Sequence, residues 1–223
     1  MEKIDLKPPI IQVAIDVRTV DDALRIAEAA VRAGVDWLEA GTPLLTFQGT
    51  PVIGALARAF PGIPVLADYK MMDGVAKYVR ETADQGGRLC TICAVSSDAS
   101  VRAAVSAANA SGVVLISDLY ASPDVPGRAA RVAELGVDSV YIHLGADERA
   151  EDTGRDPLRF LEDVTSRVSV PVGVGTFSAA EGERAFRLGA DIAVIGVPVI
   201  LETNVEDALR AYVDRSKSAW NKR

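Results

Sequence analysis

Asp68-Tyr69-Lys70-Met71-Met72-Asp73 sets two carboxylates and an ammonium within six residues, directly after the apolar run Pro64-Val65-Leu66-Ala67. Alternate residues of an extended chain point the same way, so Asp68 and Lys70 are expected on one side of a strand. Asp73 falls just past that strand, where the next helix should begin. Charges taken out of water are costly unless they are paired or bind an ion. The cluster therefore reads as a salt bridge closing a strand end or as a polar site. Other apolar runs end in the same manner, which favours a site. Asp16 follows Ile10–Ile15 and Glu39 lies near the end of Trp37–Ala40. Asp118 comes near the end of residues 113–119, and His143 closes residues 139–143. Gly173, Gly175 and Thr176 end a seventh run, and Gly196-Val197 follows an eighth. Taken singly, each has a plainer reading: Glu39 could pair with Lys70, and His143 could be a satisfied core histidine. So many strand ends turning polar or glycine-rich together read as one site.

The elements that would position these groups alternate along the whole chain. Eight short apolar runs, rich in Val and Ile, occupy residues 10–15, 37–40, 64–67, 89–95, 113–119, 139–143, 171–174 and 192–195. Consecutive apolar positions suit strands buried on both faces of a parallel sheet. Amphipathic stretches follow them over residues 20–33, 51–60, 74–85, 97–110, 126–135, 157–168, 179–188 and 205–213. Ala33-Gly34-Val35-Asp36, Leu135-Gly136-Val137-Asp138 and Leu188-Gly189-Ala190-Asp191 repeat one helix-to-strand joint, with glycine where a left-handed cap is wanted. Ser97 and Ser178 read as helix N-caps, the second with Glu181 in capping-box position.

Eight such units predict a (β/α)8 barrel forming a single domain over residues 1–223, with catalytic groups at the C-terminal ends of its strands. No Gly-x-Gly-x-x-Gly follows the first strand, which removes the main signature of a dinucleotide-binding sheet. After strands seven and eight, the backbone amides near Gly173, Gly175, Thr176, Gly196 and Val197 are expected to hold a phosphate.

A formal net charge of −7 argues against a nucleic-acid surface but leaves a small anionic substrate open. The opening Met1-Glu2-Lys3-Ile4-Asp5 lacks the apolar stretch of an export signal, and no apolar run could span a bilayer, so a cytoplasmic protein is expected. Cys90 and Cys93 form a C-x-x-C but sit within a strand, facing opposite ways, and the chain has one histidine. A four-ligand zinc site cannot be assembled from these residues; both cysteines are expected to be small and buried.

Together, Gln12-Val13-Ala14-Ile15-Asp16, Glu39-Ala40-Gly41-Thr42-Pro43-Leu44, Asp68-x-Lys70-x-x-Asp73 and His143-Leu144-Gly145-Ala146-Asp147 resemble a known family. It comprises 3-hexulose-6-phosphate synthase and 3-keto-L-gulonate-6-phosphate decarboxylase, within the orotidine-5′-phosphate decarboxylase suprafamily. The resemblance covers nearly the whole chain. Thr42-Pro43-Leu44, and the His-x-Gly-x-Asp pattern followed by Gly154, are more similar to the synthase. The decarboxylase would carry arginine where this chain has Ala146, and glutamate where it has Asp118. Thr176-Phe177 after Gly175, and Val197-Pro198 after Gly196, depart from the family's pattern around the phosphate.

The resemblance implies an aldolase joining formaldehyde to ribulose 5-phosphate through an enediolate. Glu39 and Asp68 would bind Mg²⁺ or Mn²⁺, and Lys70 would add a fixed positive charge. His143 would shuttle the proton, with Asp16 a further catalytic candidate and Asp118 among the substrate-binding residues. Asp73 would reach across the interface of a homodimer. A Schiff base is not expected, because a lysine between Asp68 and Asp73 should stay protonated. Decarboxylation of a 3-keto sugar-acid phosphate, an orotidine-5′-phosphate decarboxylase-like reaction and a non-catalytic sugar-phosphate-binding barrel are the alternatives.

Overall fold

A computed structural model describes residues 2–221. Among them, eight strands pair in chain order, each parallel to the next, and the last closes on the first. They are β1 (Ile10–Ile15), β2 (Trp37–Ala40), β3 (Val65–Met71), β4 (Leu89–Cys93), β5 (Val114–Asp118), β6 (Ser139–Ile142), β7 (Val172–Thr176) and β8 (Ile192–Ile195). The helices are α1 (Val20–Ala33), α2 (Thr42–Gln48), α3 (Pro51–Ala59), α4 (Ala76–Asp84), α5 (Asp98–Ser111), α6 (Val125–Glu134), α7 (Ala146–Glu151), α8 (Leu161–Thr165), α9 (Ala179–Arg187) and α10 (Val205–Trp220). This is the (β/α)8 barrel that the alternation predicts. No helix among the described residues is long and apolar enough to cross a membrane.

The alternation of side chains along each strand divides the interior in two. Ile11, Val13, Ile15, Leu38, Cys90, Leu115 and Val174 belong to the core shared with the surrounding helices. Ile10, Trp37, Leu66, Leu89, Val114, Ile116, Tyr141 and Ile192 form a second apolar cluster, drawn from β1 to β6 and from β8, against which Ile4 and Leu6 pack. This second cluster plugs the barrel. Two residues further along several of these strands, the same alternation brings polar groups inward: Gln12, Glu39, Asp68, Thr91, Asp118 and His143. The site is thus the next layer of the barrel, seated on its apolar plug.

The capping expectations are met at several joints. Ser97 accepts the amide hydrogen of Ser100, and Ser178 that of Glu181. Gly34, Gly136 and Gly189 all have positive φ. Three differences concern element lengths. α2 and α7 are short helices beyond the eight expected. Regular helix in the 157–168 stretch is confined to α8, because turns occupy the residues just before it. α10 continues well past residue 213, since Ser216 and Ala219 extend its buried stripe.

Candidate active site

Asp68 is at the centre of the polar layer and is almost fully buried. Its Oδ2 is ion-paired with the Lys70 ammonium and accepts from Thr42 Oγ1 at 2.7 Å; its Oδ1 accepts from Thr91 Oγ1 at 2.7 Å. The pairing of Asp68 with Lys70 is achieved differently from the extended geometry expected of them. Lys70 has φ +48°, and the β3–β4 register is irregular between Ala67 and Met71. A non-glycine residue in that region is strained and persists where its surroundings hold it. Three groups beyond β3 hold it here. Thr91 Oγ1 accepts the Lys70 amide hydrogen at 3.0 Å, Cys93 Sγ donates to the Lys70 carbonyl at 3.4 Å, and Ser96 Oγ donates to the Met71 carbonyl at 3.2 Å.

Lys70 also lies 3.6 Å from Asp118 Oδ2, the same oxygen that meets His143 Nδ1 at 2.8 Å. Asp118 Oδ1 accepts the Tyr120 amide hydrogen at 2.9 Å, and the Tyr120 ring is 5.4 Å from that of His143. Burial alone would lower the Lys70 ammonium, but Asp68, Asp118 and Glu39 together raise it above its ordinary value. The Asp118 carboxyl would be raised by burial, yet the adjoining His143 and Lys70 charges and the Tyr120 amide bring it below the usual range. His143 is raised: burial opposes its charged form, and the charge and hydrogen bond of Asp118 outweigh that.

Glu39 is pushed well above the ordinary carboxylate range by burial and by the charges of Asp68 and Asp16. Asp16 is raised by burial and by Asp68. Its carboxylate lies against the backbone of Gly41, where an added Cβ would come within 2.0 Å of Oδ1. Gln12 Nε2 donates to Glu39, and Tyr141 Oη donates to Gln12 Oε1 at 2.7 Å.

These residues line a cavity of about 470 Å³ at the C-terminal end of the barrel. Asp16, Glu39, Asp68, Lys70, Asp118, His143, Gly175, Thr176, Gly196 and Val197 all contribute to its wall. Two residues of the sequence analysis are placed elsewhere. Asp73 is exposed in the turn after β3 and is outside this wall. Gly173 is buried one layer below, with its Cα face covered by the Tyr141 ring. Thr176 reaches the wall, but its hydroxyl turns away from it, donating to the Val194 carbonyl at 2.8 Å and accepting from Tyr212 at 2.7 Å. Gln12 and Thr42, which the sequence marks only as parts of family motifs, join the site, as do Thr91, Tyr120 and Tyr141, which it does not mark. For the three on strands the inward position follows from alternation, which marks Gln12 and Thr91 as polar residues two beyond Ile10 and Leu89.

Glu39 and Asp68 offer buried oxygen ligands, and the mutual repulsion of Asp16, Glu39 and Asp68 would be relieved by a hard cation. Among the described residues no group of three or more His, Cys, Asp or Glu is arranged to hold a metal ion. A carboxylate pair nevertheless fits Mg²⁺, which keeps waters and takes further oxygens from substrate. Cys90 and Cys93 are free and buried; burial pushes the Cys90 thiol up to about 12 and the Cys93 thiol up to about 11.

The barrel and this polar layer define a class, and the chain belongs to the orotidine 5′-phosphate decarboxylase / HUMPS family, whose model matches residues 9–212. It is 37% identical over 159 residues to 3-hexulose-6-phosphate synthase 2 of Staphylococcus saprophyticus, covering 71% of this chain and 73% of that protein. A crystal structure of a 3-hexulose-6-phosphate synthase superposes with a TM-score of 0.86 at 31% identity, covering 94% of this chain and 99% of the other. The 3-hexulose-6-phosphate synthase structure from Salmonella typhimurium gives 0.88 at 25%, with the same coverage. The chain is therefore an enzyme, and lyase chemistry fits both its relatives and its site.

Proposed function

We propose that this enzyme is a metal-dependent aldolase that joins formaldehyde to ribulose 5-phosphate, reversibly forming a 3-hexulose 6-phosphate. The observation that carries the reading is one cavity wall in which the Asp68–Lys70 pair adjoins the Asp118–His143 pair, beside buried Glu39. Its sequence relatives bear the corresponding name.

Glu39 and Asp68 would hold Mg²⁺ or Mn²⁺, which when bound would polarise the carbonyl and hydroxyl oxygens of the substrate. With Nδ1–H donating to Asp118, His143 is left with Nε2 as the base that removes a proton from C1 of ribulose 5-phosphate. Lys70, held protonated by its carboxylate neighbours, faces the negative charge that develops on the substrate oxygens. C1 then attacks the carbon of formaldehyde, and the proton held on His143 goes to the former aldehyde oxygen. The phosphate would rest against backbone near Gly175, Gly196 and Val197, at the ends of β7 and β8. One nearby amide is already engaged, since Phe177 N–H donates to Glu181 at 2.7 Å.

The working unit in this reading is a homodimer, with Asp73 directed at a neighbouring copy. Exposed Met72 adjoins Asp73 in sequence, and exposed Val95 follows β4.

Metal-stripped enzyme supplied with both substrates should turn over only after Mg²⁺ or Mn²⁺ is restored. Glu39→Gln and Asp68→Asn should each lower kcat/KM on the order of a hundredfold or more, the scale for losing electrostatic stabilisation of a developing charge. Near-normal turnover by either variant without metal would remove these residues as ligands. Faster decarboxylation of 3-keto-L-gulonate 6-phosphate than formaldehyde condensation would replace the proposed substrate.

A further inference from the structure

We infer that Tyr141 is a positioning residue for the Glu39 carboxylate, acting through Gln12 and made possible by the absence of a side chain at Gly173; this rests on the reading of Glu39 as a metal ligand. Tyr141 and Gly173 are paired residues on β6 and β7. A Cβ on Gly173 would come within 2.4 Å of Cδ1 and Cε1 of the Tyr141 ring, so the ring lies directly over this glycine. Crossing β7 in this way brings its hydroxyl to Gln12 on β1, where it donates to Oε1 at 2.7 Å.

That bond decides which way the Gln12 amide faces. An amide offers an oxygen on one side and an N–H₂ on the other, and a phenol hydroxyl that donates selects the oxygen. The N–H₂ group is then turned to Glu39, to which it donates. Without the phenol, the amide could rotate and present its oxygen to a carboxylate, which repels it. All three side chains are at least nine-tenths buried, which strengthens each hydrogen bond of the chain and raises the cost of losing one. Gly173 is thereby given a role other than phosphate binding. It makes room for the ring that orients the amide that orients the carboxylate.

The test is Mn²⁺ binding to ligand-free protein, followed by electron paramagnetic resonance, in the wild type, Glu39→Gln, Tyr141→Phe, Gln12→Met and the Tyr141→Phe/Gln12→Met double variant. Tyr141→Phe keeps the ring on Gly173 and removes only the hydroxyl. We expect about tenfold weaker binding in Tyr141→Phe, within the range for losing a partner behind a metal ligand. Gln12→Met should weaken binding at least as much, and the double variant no more than Gln12→Met alone, because the two side chains act in series. Thermal midpoints provide the control, because a Tyr141→Phe protein that bound metal weakly through a loosened fold would also melt earlier. Binding that depends on Glu39 but is unchanged in Tyr141→Phe, or additive losses in the double variant, would overturn the inference while leaving the ligand assignment standing. Binding indifferent to Glu39→Gln would remove that assignment, and the inference with it. Should Tyr141→Phe prove unstable, Gly173→Ala supplies the second route, since its Cβ displaces the ring and should weaken Mn²⁺ binding similarly.

Discussion

In the proposed reaction, neighbouring charges would divide the work between Lys70 and His143. Lys70 faces Asp68 and Asp118 and is raised, so in the proposed reaction it would serve as a fixed cation and not as an amine nucleophile. His143 meets the same Asp118 oxygen, and its ordinary value of 6.5 lies near neutrality. As a base it must be neutral, and its pKa is raised, so kcat/KM should fall on an acid limb whose midpoint lies above 6.5. The linked contribution to stability runs the other way. A histidine raised on folding stabilises most fully below its unfolded value, and this is lost as pH rises through the folded one. His143→Asn should slow solvent deuterium exchange at C1 of ribulose 5-phosphate on the order of a hundredfold or more, the usual scale for losing a positioned base. Binding of the sugar phosphate should change far less. Exchange at the wild-type rate would transfer the role of base to a carboxylate such as Asp16.

The decisive element is the end of β3, where β4 holds a strained turn of backbone in place. Thr91 is central, because one hydroxyl accepts from the Lys70 amide and donates to Asp68 Oδ1. Thr91→Val keeps the shape and removes both bonds. It should lower kcat by about ten- to a hundredfold, the effect of losing hydrogen bonding to a charged group, and Thr91→Ser should restore most of it. Equal rates in Thr91→Val and wild type would mean that Cys93 and Ser96 suffice. This element also marks how far the sequence could be read. Asp68 and Lys70 stand out as charges at the end of an apolar run, and Glu39 and Asp118 as carboxylates near the ends of two others. The positive φ of Lys70 leaves no trace in residue types, because strain is imposed by tertiary partners on another strand. Gly173 was legible as a special position, but close approach of a ring and close approach of a phosphate call for the same residue and leave no difference in the sequence. α2 and α7, at seven and six residues, are too short to display a helical period. The barrel itself was legible because eight buried runs and three repeated glycine joints require no knowledge of long-range contacts.

At the scale of the whole molecule, Asp73 stands apart from the rest of the polar cluster. It belongs to the same short segment as Asp68 and Lys70, yet it is exposed and outside the cavity wall, beside the exposed side chain of Met72. In the homodimer we propose, a neighbouring copy covers this turn and receives Asp73 near its own cavity. Each active site would then combine His143 of one chain with Asp73 of the other. Symmetry gives a direct test, because an isologous pair has two equivalent sites. Asp73→Asn and His143→Asn should each be nearly inactive alone. In a mixed dimer of the two variants, one site carries both lesions and the other carries neither. After equal amounts are unfolded and refolded together, random pairing should restore about a quarter of wild-type activity, since half the dimers are mixed and each has one intact site. Size-exclusion chromatography and differently tagged chains would establish that mixed dimers had formed. Mixed dimers without recovered activity would confine Asp73 to its own chain, and a monomeric active enzyme would remove the shared site altogether.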